Sequence, residues 1–292
     1  MNEASYTKSI SEDLMFYNLP IESERSKISD IISKKLNKTI IGKSHCGRKI
    51  EMFKVGNTGK KILLAGCFHG TEWISYLVLI KFLNDIINEN IKVSNQIFVV
   101  PCMNPDGVDI SILGADSAGK YKNLVDQIGK LNNWKSNARG VDLNHNFDAG
   151  WQDVRKREKE NNIKGPSNTR FGGLKPESEL ETQSIVKLCD DEKFDLAFAF
   201  HSQGEEIYWD YGKNTPKESL DIAKKISNLT GYEISIPEEM AIGGGFKDWF
   251  IEKFKKPGFT IELGKGTNPL PISDLEKTYS KIYNLFCWIT TS

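Results

Sequence analysis

Four short runs of branched and aromatic residues constrain this 292-residue chain more than any other feature: KILLAGCF (61–68), QIFVVPCM (96–103), FDLAFAF (194–200) and PGFTIEL (257–263). Each is too short for a helix of that hydrophobicity, and each is apolar almost throughout, the pattern of a strand covered on both faces. Between them, residues 73–90, 176–191 and 216–231 have helical spacing, the last ending on Gly231 as a C-cap. Strands alternating with helices predict an α/β sheet with both faces covered. KTIIGKSHCGRKIEMFKVG (38–56) reads as two strands around a Cys-Gly turn, a hairpin at the edge of the same sheet. Residues 1–37 are polar and are expected to form an extension with one helix near 22–36. Residues 38–292 are expected to form a single large domain.

Lysine plus arginine equals aspartate plus glutamate at 39 each, so no global field draws in nucleic acid or an anionic membrane. Five cysteines, Cys46, Cys67, Cys102, Cys189 and Cys287, form no CxxC pair and are odd in number, which argues for thiols in a reducing compartment. The first twenty residues lack the apolar core of a signal peptide. No run approaches the roughly 18 apolar residues of a membrane span, and the expected location is the cytoplasm. Residues 104–175, rich in Asn, Gly, Asp and Lys, are expected to be long functional loops. Nothing in the sequence fixes an oligomeric state.

In open α/β sheets ligands bind at the carboxyl ends of the strands. His69 and His201 each follow an apolar run directly, and Glu72, three residues beyond His69, can turn to the same side. Two imidazoles and a carboxylate are the three-ligand set of a catalytic zinc site with its fourth position open. Glu262, at the end of the last run, is a carboxylate that is costly to bury without a task. Beside such a metal it is a candidate general base.

FHGTEW (68–73), MNPDG (103–107), ARGVDLNHNFDAGW (138–151), FHSQGEE (200–206) and FTIELG (259–264) occur in the order of a known family. Over about residues 38–290 the chain resembles the zinc metallocarboxypeptidases. HSQGEEIYW, GGFKDWF and PGFTIELGKGTNPLP make it most similar to the bacterial γ-D-glutamyl-meso-diaminopimelate peptidases. The resemblance implies a three-layer α/β/α sandwich around a mixed, twisted eight-stranded sheet. It also implies one zinc ion per chain on His69, Glu72 and His201, with Glu262 as base and then as proton donor to the leaving amine. The family's oxyanion arginine has two candidate counterparts. Arg139 is preferred for its permanently charged fork, and Lys135 follows Trp134 as the family's arginine follows its tryptophan.

Departures from the family pattern bear on the substrate. Asn144 is kept, but His145 stands where an arginine grips the substrate's terminal carboxylate, and a histidine is a weak, pH-dependent clamp. Met240 takes the place of the covering tyrosine. Lys247 falls at the base of the specificity pocket and favours a carboxylate-bearing group, and Arg170 is expected on the rim to meet an anionic substrate. Glycines 243–245 free that loop to close. The expected function is zinc-dependent hydrolysis of the γ-D-glutamyl-meso-diaminopimelate bond, or a similar amide, in small murein peptides. The alternatives are a carboxypeptidase removing acidic C-terminal residues and a silent zinc-bearing module that binds cell-wall peptides.

Overall fold

The computed structural model describes residues 18–292, so the first part of the expected N-terminal extension lies outside the described residues. The chain runs α1 (Glu22–Ile32), β1 (Asn37–Lys43), β2 (Lys49–Val55), β3 (Lys61–Gly66), α2 (Ile74–Ile87), β4 (Gln96–Val100), α3 (Pro105–Leu113), α4 (Lys122–Ile128), α5 (Trp151–Glu160), α6 (Leu180–Glu192), β5 (Leu196–Ser202), β6 (Glu206–Tyr208), α7 (Ser219–Thr230), β7 (Glu233–Ile234), α8 (Phe246–Phe254), β8 (Gly258–Leu263) and α9 (Leu275–Thr291). Each of the four apolar runs becomes a strand, and 38–56 becomes the β1–β2 hairpin, turning at Gly47 with φ +86°.

One mixed eight-stranded sheet has the order β1-β2-β4-β3-β5-β8-β6-β7. Its centre is parallel, β4 with β3, β3 with β5 and β5 with β8, and antiparallel pairs lie to either side. Side-chain alternation explains why both faces are covered. Along β3, Ile62 and Leu64 pack with α1, α2, α7 and α9, whereas Leu63 and Ala65 pack with α6 and α8. The result is three layers with two cores, as expected for the sandwich. No helix among the described residues is long and apolar enough to cross a membrane.

Two local expectations need correction. Residues 104–175 are not loop throughout, since α3, α4 and α5 lie within them. Helix α5, WQDVRKREKE, buries Val154 as its one aliphatic residue, too little apolar periodicity to betray it in sequence. Helix α6 begins at Leu180 and not near 176, because Glu179 is extended (φ −92°, ψ 140°). Its carboxylate is held in a polar cluster by Ser178 and Asn137.

Strand order decides where the site forms. From β3 the chain moves through α2 to β4 on one side, and it returns later to lay β5 on the other. This topological switch opens a crevice at the carboxyl ends of β3 and β5, and β8 lies next to β5.

Candidate active site

The segment after β3 turns sharply at Cys67 (φ 52°) and delivers His69 and Glu72 to the crevice. Gly70 sits so close to its neighbours that a Cβ there would meet Gly107 O at 2.3 Å and Trp134 O at 2.6 Å, so only glycine fits. From β5 comes His201, its ring stacked on Phe68 with centroids 5.3 Å apart. Register sets Glu262 of β8 directly beside His201 and places Glu206 of β6 on its other flank.

His69, Glu72 and His201 converge, each buried, with one ligand atom apiece within 4.8 Å of the others. His69 Nδ1 is 2.8 Å from Glu72 Oε1, and His201 Nδ1 is 2.9 Å from Glu72 Oε2. Lys135 Nζ donates to Glu72 Oε1 at 2.9 Å. Asp142 Oδ1 lies 3.0 Å from His69 Nε2. These residues and Glu262 line a cavity of about 750 Å³.

The other expected residues divide. Asn144, His145, Arg170 and Lys247 line the cavity. Asn144 Oδ1 accepts from Phe246 N at 3.0 Å, tying it to the start of α8. Arg170 pairs with Glu238, and Lys247 pairs with Asp248 while donating to Asp210 O at 2.7 Å. Arg139, expected at the oxyanion, does not line the cavity. Its guanidinium lies 3.8 Å from Glu179 Oε1, so Lys135 is the cation next to the cluster. Met240, expected to cover the substrate, is also outside the lining. Its Sδ is 3.3 Å from Asn161 Nδ2, and Glu238 and Ala241 line the rim instead.

A family profile described as zinc carboxypeptidase matches residues 26–284. The chain belongs to the zinc carboxypeptidase family. Among family relatives, it is 34% identical over 272 residues to gamma-D-glutamyl-L-diamino acid endopeptidase 1 of Lysinibacillus sphaericus, covering 86% of this chain and 66% of that protein. This chain thus spans slightly less than two thirds of that relative. Of solved structures, bovine thrombin-activatable fibrinolysis inhibitor matches with a TM-score of 0.74 at 19% identity, over 94% of this chain and 97% of that one. The murein-tripeptide amidase MpaA of Escherichia coli O157 matches with a TM-score of 0.58 at 21% identity, over 88% and 94%. Both likenesses show the shared fold.

The donor set fits the family's metal. A carboxylate at His69 Nε2 takes that nitrogen's proton in a hydrogen bond, the usual outer support of a metal-binding imidazole. Nδ1 then turns its lone pair on the Glu72 carboxylate, two electron-rich groups at 2.8 Å that need a cation or a proton between them. In the protein without metal a proton fills that need. Burial pulls the His69 pKa down, but Glu72 and Asp142 outweigh it and raise it to about 10. Glu72 moves the other way: burial raises it, yet His69 and Lys135 hold it well below the ordinary carboxylate range.

Two neighbours have their own electrostatics. Burial, followed by the charge of Glu72, pushes Glu262 up to about 8, with Lys135 and His69 opposing. Burial brings His145 down to about 4. Its Nδ1 lies 2.9 Å from Glu158 Oε1, and Glu158 is itself paired with Arg155 and accepts from Gly172 N at 3.0 Å. His145 is therefore a neutral ring with Nδ1–H committed to Glu158 and Nε2 left as an acceptor. A neutral acceptor does not grip a carboxylate, in keeping with the weak clamp expected of a histidine here. Asp142, inside the ARGVDLNHNFDAGW motif, and Glu158, outside every motif, take their roles from partners 73 and 13 residues away in sequence.

Proposed function

We propose that this family member hydrolyses the amide joining a γ-D-glutamyl group to meso-diaminopimelate, or a closely similar diamino acid, in murein peptides, with one zinc ion on His69, Glu72 and His201. The observation that carries the reading is the meeting, in one cavity, of two imidazoles, a buried carboxylate, the Glu262 carboxyl and the Lys135 ammonium. The 34% identity to an endopeptidase named for γ-D-glutamyl-diamino acid bonds supports the substrate class. When bound, zinc supplies Lewis-acid stabilisation of charge on the scissile carbonyl oxygen. Glu262, with a pKa brought near neutrality, takes a proton from the attacking water and returns it to the leaving amine. Lys135 is assigned the oxyanion role. Its attraction to Glu72, opposed by burial, raises its pKa, so it stays cationic.

The charges around the cavity favour an amine-bearing substrate. Its three cations are already partnered, Lys135 with Glu72, Arg170 with Glu238 and Lys247 with Asp248. Three further acids, Asp142, Glu206 and Glu262, also line it. No lining cation is therefore left unpaired to hold an acidic C-terminal residue, which disfavours an acid-specific carboxypeptidase. Unpaired thiols at all five cysteines support a reducing, cytoplasmic location.

The test is to incubate zinc-loaded protein with L-Ala-γ-D-Glu-meso-diaminopimelate and, separately, with an α-linked peptide ending in glutamate, identifying products by mass spectrometry. Free diaminopimelate from the first and no cleavage of the second is expected. Cleavage of the second alone overturns the reading, and binding of the tripeptide without cleavage marks a silent module.

A further inference from the structure

Outside the cavity, a second set of side chains of metal-ligand type meets at the base of the 136–142 loop. His45 in the β1–β2 turn, Glu179 just before α6 and Glu181 in its first turn each bring one ligand atom within 4.8 Å of the others. His45 is nine-tenths buried and both carboxylates are fully so. His45 Nε2 is 3.0 Å from Glu179 Oε2 and 3.8 Å from Glu181 Oε2. Two ligands at ~2.1 Å from a tetrahedral ion stand about 3.4 Å apart, and the two separations bracket that distance.

Hydrogen bonding satisfies Glu179 but not His45 Nε2 or Glu181. His45 Nε2, although close to Glu179, is aligned for no hydrogen bond. Glu181 receives only stretched bonds, from His45 N at 3.4 Å and Asn137 Nδ2 at 3.5 Å. Glu179 accepts from Ser178 Oγ at 2.7 Å and Asn137 Nδ2 at 2.9 Å, while Arg139 stands 3.8 Å from it, so the weakly compensated carboxylate is Glu181.

We infer that His45 Nε2, Glu179 Oε2 and Glu181 Oε2 form a second divalent-cation site, separate from His69, Glu72 and His201, that takes an ion of the zinc or manganese class. One imidazole and two carboxylates suit such ions and leave a position for water. The site is structural. Asn137 Oδ1 accepts from Arg139 N at 2.9 Å and Val141 N at 3.1 Å, and its Nδ2 donates to Glu179 Oε2 at 2.9 Å. An ion on these carboxylates pins, through Asn137, the loop whose ends carry Lys135 and Asp142.

The inference is independent of the proposed function and is tested by counting metal. Full-length protein is stripped with chelator, reloaded with zinc chloride, dialysed against a weak chelator and analysed by inductively coupled plasma mass spectrometry. Two zinc ions per chain are expected for the wild type, and one each for H45Q and H201N, the first having lost the proposed site and the second the His69 cluster. Circular dichroism checks that each variant is folded. If H45Q does not fold, H201N still decides, because it must keep one ion. A zinc count in the wild type no higher than in folded H45Q, or none in folded H201N, overturns the inference.

Discussion

Glu262 has to serve twice on the proposed reading, as acceptor of the water's proton and as donor to the amine, and its surroundings suit both tasks. Burial and the Glu72 charge hold its pKa near 8, while Lys135 and His69 keep the charged form within reach. Replacing it with glutamine keeps the shape and removes the titration. E262Q is expected to lower kcat by roughly a hundredfold to ten-thousandfold while zinc content stays unchanged. Wild-type turnover in a zinc-loaded E262Q protein would remove Glu262 from the reaction. Lys135 and Arg139 can be separated in the same way. Lys135 reaches Glu72 at 2.9 Å, whereas Arg139 lies outside the cavity. K135A is expected to cost about a hundredfold to a thousandfold in kcat, the usual loss of an oxyanion partner, and R139A less than about tenfold. The reverse ranking in steady-state assays would return the role to Arg139.

At the level of elements, the site depends on how tightly the segment after β3 fits against α3 and the irregular segment 134–136. Gly70 N donates to Lys135 O at 3.0 Å, and a Cβ at Gly70 would collide with Gly107 O and Trp134 O. G70A therefore has to move His69 or Lys135. Such overpacking costs roughly 1–3 kcal/mol. A lower thermal midpoint and weaker zinc retention are expected together, and an unchanged midpoint would mean the backbone yields freely there. This contact also shows what a single sequence reveals. Strands β3, β4, β5 and β8 were legible because burial on both faces leaves an unbroken apolar run. His69, His201 and Glu262 were legible because they end those runs, and Glu72 because it stands three residues beyond His69. Helices α3, α4 and α5 were not, since they bury too few apolar residues to show a period. Arg139 and Lys135 lie four residues apart, and spacing alone does not say which of two basic side chains turns inward from an irregular loop. Asp142 and Glu158 take their meaning from partners that only the tertiary fold supplies.

For the whole molecule, His145 links catalytic layout to stability, because a ring held neutral inside the fold titrates freely once the chain unfolds. Burial sets its folded pKa near 4, against about 6.5 in an unfolded chain. Between those values the unfolded chain binds a proton that the folded protein refuses. Unfolding therefore gains from acid, and stability rises with pH across this window. Above about pH 6.5 both states are neutral and the effect vanishes, while below about pH 4 it is complete. The full difference is about 3 kcal/mol, at roughly 1.4 kcal/mol for each pKa unit. Other groups titrate in the same range, so the comparison must be with H145Q, whose amide can still donate to Glu158 and carries no titrating proton. Urea unfolding of metal-free protein at pH 7, 5.5 and 4 is expected to show the wild type losing about 3 kcal/mol relative to H145Q on acidification. Parallel curves for the two proteins would mean that His145 is already charged in the fold. A charged ring in the cavity would then be able to hold a terminal carboxylate, and selection for an amine-bearing substrate would have to rest on the surplus acids alone.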